Sequence, residues 1–148
     1  MKIDTATFGE IEIEEEKVIS FEEKILGFED YTEFTVIDSL DDDVFYWLQS
    51  IEEPELSFIM IAPGQLLDDY QITLTDKFEK KLAITADTPL EEIVVYTLVV
   101  VEGEGERIRT NLKAPIIINA ETGKAGQLVL TEEYPTRYYL FKEEKVSG

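Results

Sequence analysis

The amino-acid sequence predicts a mainly β fold: one small antiparallel domain, barrel-like or sandwich-like, with one or two short helices at its edge. Three observations carry this prediction. The apolar residues fall in short runs that either alternate with period two or are apolar on both faces. Turn-forming residues separate those runs, and helical periodicity is confined to two short stretches.

From the N-terminus, "GEIEIEE" alternates, turning Ile11 and Ile13 inward and Glu10, Glu12 and Glu14 outward, as a half-exposed strand should. Residues 2–8 and 34–37 carry fainter strand patterns. "VFYWLQS" places Val44, Tyr46 and Leu48 on one face and Phe45, Trp47 and Gln49 on the other. "LSFIMIA" (residues 56–62), punctuated by Pro54 and Pro63, and "IVVYTLVVV" (residues 93–101) are likewise apolar on both faces. Strands of that kind are covered on two sides. A chain of 148 residues has limited material for two covering layers, and an apolar sheet face left over would be a docking surface.

"TDKFEKKL" predicts two helical turns, capped by Thr75 or Asp76, with Phe78 and Leu82 spaced i,i+4 toward the core. "TPLEE" offers Thr88 as N-cap, Pro89 at the first helical position and Glu91 to complete a capping box, with room for one turn. "EGEGE" reads as the hairpin loop between Val101 and Arg107, where Gly103 and Gly105 supply positive φ. "NAETGKAG" is a second hairpin connection, returning into "QLVL". Between them, residues 107–114 read as a strand with Arg107, Arg109, Asn111 and Lys113 on one face. Pro115 breaks the ladder before Ile116–Ile118 resumes. No repeat, linker or low-complexity segment divides the chain, so residues 1–148 are expected to form one domain.

Composition narrows the chemistry. There is no cysteine and no histidine, which removes disulfides, thiolate metal sites, the usual zinc nitrogen ligand and every Ser-His or Cys-His nucleophile. "DSLDDD" brings Asp38, Asp41, Asp42 and Asp43 together without the alternating spacing, glycine and distal acid of a calcium loop, so a solvated loop is expected. No metal, no cofactor and no enzyme activity are expected. The N-terminus lacks an apolar leader and the longest apolar run has nine residues, short of the ~20 a membrane helix needs. The expected location is the cytoplasm, with no membrane contact.

Thirteen Lys and Arg against 33 Asp and Glu leave a net charge of −20. Such a field repels nucleic acid and anionic membranes and favours basic partners. The charge is uneven: residues 1–60 hold 3 basic and 18 acidic groups, net −15, whereas residues 107–124 hold four basic groups against Glu121 alone, net +3. The basic stripe is either internal charge balance or a landing strip for a partner's acidic group. Trp47, the only tryptophan, is either core or an aromatic interface anchor.

Longer motifs go further. "ILGFEDYTEF", "WLQS" leading through "PELSFIMIAP" to "DDY", "TNLKAPIIINAETGKAGQLVL" and "YPTRYYL" follow one another in order across nearly the whole chain. Together they resemble FliW, a family of bacterial flagellar assembly factors. Ile25-Leu26-Gly27 departs from the family's more usual Gly-Leu-Pro-Gly-Phe-like turn. The resemblance implies a non-enzymatic regulator on a β-barrel-like fold that binds flagellin before export. When flagellin is exported, the freed protein would sequester CsrA, an RNA-binding translational repressor, and so restore flagellin translation. On these motifs the expected partner-binding positions are Phe45, Trp47, Gln49, Ser50, Arg107, Arg109, Asn111, Lys113 and Asn119. The rival reading is an acidic nucleic-acid mimic or general chaperone that binds many basic proteins.

Overall fold

The structure is a computed structural model that describes residues 1–38, 45–103 and 107–140. Two strands, β1 (Lys2–Thr5) and β2 (Gly9–Glu12), form a separate antiparallel hairpin. The rest is a sheet built from β3 (Ile19–Glu23), β4 (Glu33–Asp38), β5 (Phe45–Ser50), β6 (Ser57–Ile61), β7 (Ile93–Glu102), β8 (Arg107–Thr110), β9 (Ile116–Asn119), β10 (Lys124–Gln127) and β11 (Tyr138–Leu140). Seven of these close on themselves in the order β7-β6-β5-β4-β3-β10-β9, because β9 pairs back onto β7. Of the two expected architectures, barrel and sandwich, the barrel is the one formed. All its pairings are antiparallel except β3 with β10, which is parallel.

The length of β7 makes closure and extension compatible. Its first half, Ile93 to Tyr96, pairs with β9, and its second half, Val99 to Glu102, pairs with β8 on the same side. β8 and β11 therefore project beyond the barrel as a short extension. The expected strand over residues 107–114 ends at Thr110, because the chain must leave one half of β7 before joining the other. Asn111 still bonds to Leu98 through its N–H, but residues 112–114 form a bend.

Alternation fills the barrel. Ile19, Phe21, Phe34, Leu48, Met60, Ile116, Ile118 and Ala125 are buried in its interior, with Val36, Tyr46, Phe58, Val94, Tyr96 and Leu98 packed against them. A second cluster lies outside the wall. There Phe78, Leu82 and Ile84 cover Ile117, with Ile93, Val95, Ile72, Leu74 and Leu128 around them. The covering helix, α1 (Asp76–Lys81), starts as its sequence predicts: Thr75 Oγ1 accepts the Phe78 N–H at 3.1 Å. Gly126 lets this helix approach, since a Cβ there would stand 2.7 Å from the Glu23 Cβ and 3.0 Å from the Phe78 ring.

The other expected helix is a three-residue 3-10 turn, Leu90–Glu92, capped by Pro89 without a side-chain bond. Thr88 instead accepts the Thr85 N–H, and β7 claims Ile93 before an α-helical bond can close. Gly103 has φ of 65°, as its turn requires, and Gly123 in the β9–β10 hairpin has φ of 77°. Gly105, Val44 and Asp41 to Asp43 lie outside the described residues. The departing Ile25-Leu26-Gly27 motif forms a tight turn, with Phe28 N–H bonded to Ile25 O and Gly27 at φ 88°.

Candidate protein-interaction surface

The outer wall of the barrel carries an apolar row. Ile37 of β4 lies opposite Trp47 of β5, Trp47 opposite Ile59 of β6, and Ile59 opposite Val99 of β7. Their neighbours Val36, Leu48, Phe58 and Leu98 point into the core, so period two puts this row on the outer face. All four are half-buried. Val101, 44% exposed, and its partner Ile108 continue the row onto the extension. Trp47 has one aromatic neighbour from the hairpin, Phe8, edge-on at 5.4 Å. Phe45 is also half-buried on this face.

Gln49 and Ser50, at the end of the same strand, are fully buried and belong to the structure of a turn. The Gln49 amide donates to the carbonyls of Ser50, Pro54 and Leu56 at 3.0–3.3 Å. Ser50 Oγ accepts the N–H groups of Glu52 and Glu53. Asn119 is buried in the same way: Nδ2 donates to Leu82 O at 2.9 Å and Oδ1 accepts the Glu121 N–H. These three present nothing to a partner here. They satisfy backbone groups that the loops would otherwise leave unpaired.

The basic stripe is divided. Arg109 Nε donates to Glu102 Oε2 at 2.9 Å, Arg107 lies 4.0 Å from the same carboxylate, and Tyr139 Oη donates to its other oxygen. Arg107 also sits over the Tyr139 ring at 4.5 Å. The Arg109 hydrogen bond is the main reason the Glu102 carboxyl is held below its usual range, with both arginine charges adding to it. Lys113, beyond the end of β8, donates to Glu132 O at 2.7 Å, and Asn111 Oδ1 accepts its N–H. Geometry therefore favours internal charge balance. In the β7–β8 register Arg109 lies opposite Val100 and Thr110 opposite Val99. The arginines and the Trp47 row consequently lie on opposite faces of the sheet, and the structure does not bring the two expected clusters together.

The corner at residues 110–115 is pinned through its carbonyls. Tyr70 Oη donates to Leu112 O at 2.8 Å, Leu130 N–H to Lys113 O, Gln127 Nε2 to Ala114 O, and Leu128 N–H to Pro115 O. Burial raises the Tyr70 phenol well above its ordinary value, which keeps it a donor at any physiological pH. Thr110 Oγ1 donates into the Thr97 and Leu98 side of the junction.

Two cavities open on the surface. One, about 330 Å3, is the barrel mouth, lined by Val18, Ile19, Val36, Val94, Tyr96 and Ile118 with Glu16 and Lys17 at its rim. Burial pushes the Tyr96 phenol up to about 12. The other, about 280 Å3, lies beside α1. Each is lined by a single carboxylate, Glu16 or Glu23, so neither holds the acid pair that glycoside chemistry uses. Among the described residues no cluster of three or more Asp and Glu is placed to hold a metal, and no helix is long and apolar enough to cross a membrane.

Fold and surface define the class: a small closed β-barrel with an acidic exterior, a two-stranded extension and an apolar row on its outer wall. The chain belongs to the FliW family, whose profile, described as FliW protein, matches residues 2–140. It is 42% identical over 136 residues to the flagellar assembly factor FliW of Caldicellulosiruptor saccharolyticus, covering 91% of this chain and 87% of that one. It is 40% identical to the protein of the same name from Caldicellulosiruptor bescii, covering 95% and 90%. The crystal structure of a flagellar assembly factor FliW superposes with a TM-score of 0.86 at 33% identity, over 97% of this chain and 99% of that chain.

The residues that sequence reasoning missed are Ile37, Ile59 and Val99 of the apolar row, along with Leu26, Phe28 and Val129, which are 62%, 38% and 56% exposed. The two-faced apolar pattern flagged the strands of the row. Only the register aligned the side chains.

Proposed function

We propose that this protein is a cytoplasmic, non-enzymatic regulator that binds flagellin and, once released from it, sequesters the translational repressor CsrA. The observation that carries the reading is the apolar row Ile37-Trp47-Ile59-Val99, half-buried on the outer wall of a chain of the FliW family. An amphipathic helix, such as an export-competent flagellin end presents, lays its apolar side on such a face. The switch is then a competition, set by the difference between the affinities for the two partners.

The net charge of −20 supplies the second half of the mechanism. A repressor that grips RNA must present basic surface, and RNA affinity falls when phosphate meets unfavourable potential. Docking so acidic a protein beside that surface repels RNA without covering the residues that bind it. The effect reaches about one Debye length, ~8 Å at physiological salt.

Pull-down with purified flagellin and purified CsrA, each through a salt titration, tests this reading. Selective capture of both supports it, with RNA antagonism that weakens as salt rises. Indiscriminate capture of basic proteins with steep salt sensitivity would replace it with the acidic-mimic reading. Failure to bind either partner in dilute buffer would end it.

A further inference from the structure

We infer that the groove beside α1 is a second docking site, which takes an acidic, apolar segment of a polypeptide. Two side-chain carboxylates of that segment pair with Lys24 and Lys77 while its apolar anchor rests on Leu26 and Val129.

The groove has a volume of about 280 Å3, enough for one or two side chains. Its floor is the buried ring of Phe78 with half-buried Leu128. Its rim carries Leu26 and Val129, 62% and 56% exposed, two of the most solvent-exposed large apolar side chains among the described residues. They come from distant segments and are held in place: Leu26 N–H donates to Gln127 Oε1 at 2.9 Å, which ties the turn at residues 25–28 to the end of β10. Gly126 and Phe78 fix the helix against the same strand. This is an apolar surface facing water.

Charge identifies the occupant. The one acid lining the groove, Glu23, is already paired with Lys81. Lys24 and Lys77 also line it, both are exposed, and neither has a carboxylate partner among the described residues. A chain of net charge −20 thus shows two uncompensated cations beside two of the most exposed apolar side chains among its described residues. Complementarity calls for carboxylates around an apolar centre. The lysines stand on separate elements, one after β3 and one on α1, so they match two side-chain carboxylates better than a single chain terminus. A polyanion such as RNA or an anionic bilayer would gain these two contacts but meet the whole negative field. A peptide of few charges escapes most of that cost. The site makes no use of Trp47 or the outer row, so it stands apart from the function proposed above.

The test uses the full chain and a fluorescein-labelled synthetic helix-forming peptide with leucine and glutamate spaced i,i+3 and i,i+4. A glutamine-for-glutamate version of the peptide serves as control, and binding is read by anisotropy. Saturable binding of the glutamate peptide is expected. It should weaken about tenfold or more with the glutamine peptide, with the Lys24→Glu/Lys77→Glu variant and with Leu26→Ser/Val129→Ser. Thermal melts unchanged from the parent would show that the variants fold, and Trp47→Ala should leave this binding intact. Equal affinity for both peptides, or binding indifferent to the lysine reversals, would overturn the inference. So would single-stranded RNA or anionic vesicles binding in a lysine-dependent way where the peptide does not.

Discussion

The barrel wall carries apolar side chains on its outside in two places, and the chain treats them differently. Over Ile93, Val95 and Ile117 it lays α1 and Ile72 and Leu74 before it, with Gly126 giving the helix room to descend. Ile37, Trp47, Ile59 and Val99 lie outside that cluster; they are half-buried, as Ile93 and Val95 are, and Phe8 stands edge-on to Trp47. The two patches have similar composition. The first is built around the fully buried Ile117 and serves stability; the second is half-buried throughout and is the one proposed to meet a partner.

Substitutions that separate stability from binding sharpen this contrast. The largest stability effect belongs to the covered patch. Ile117→Ala removes a fully buried side chain from beneath α1 and should cost about 2–5 kcal/mol in urea unfolding. Gly126→Ala forces a Cβ against Phe78 and the Glu23 side chain, and should cost about 1–3 kcal/mol by the same measurement. Asn119→Ala removes the buried amide from the Leu82 carbonyl, which keeps Thr122 Oγ1 at 3.3 Å, and from the Glu121 N–H, for about 1–3 kcal/mol. On the outer row, Ile59→Ser should lower stability by no more than ~1 kcal/mol, since its side chain is only half-buried.

The smallest effect lies on the arginine face. Arg109 holds the Glu102 carboxyl below its usual range in the folded state. A depressed folded-state value adds stability above the ordinary carboxylate range, and that contribution is lost as pH falls through the lowered value. Glu102→Gln should therefore differ slightly from the parent at neutral pH and converge with it in acid. Urea midpoints measured across that range check the sign. Divergence toward low pH would contradict the pairing.

Much of the barrel was legible in the chain. The two-faced runs became β5, β6 and β7, which lie side by side in the sheet, and Thr75 capped its helix as its position predicts. β3 was not legible. Ile19 and Phe21 alternate, but no turn signal frames them, and their place depends on a parallel pairing with β10 about a hundred residues away. Polar residues were ambiguous for a related reason. Gln49, Ser50 and Asn119 sit in recognisable motifs, yet each is spent on buried backbone, and a sequence does not distinguish a polar group facing a partner from one facing a carbonyl. The groove beside α1 was out of reach altogether, because Lys24, Leu26, Lys77 and Val129 meet only through the closure of the barrel.

The claim that the outer apolar row is a recognition surface is tested most directly by titrating purified flagellin into the parent protein and into Ile59→Ser and Val99→Ser, with unfolding midpoints measured alongside. Saturable binding by the parent, weakened at least about tenfold in variants whose midpoints barely move, is the predicted result. Undiminished affinity in well-folded variants, or no binding by the parent, would contradict it.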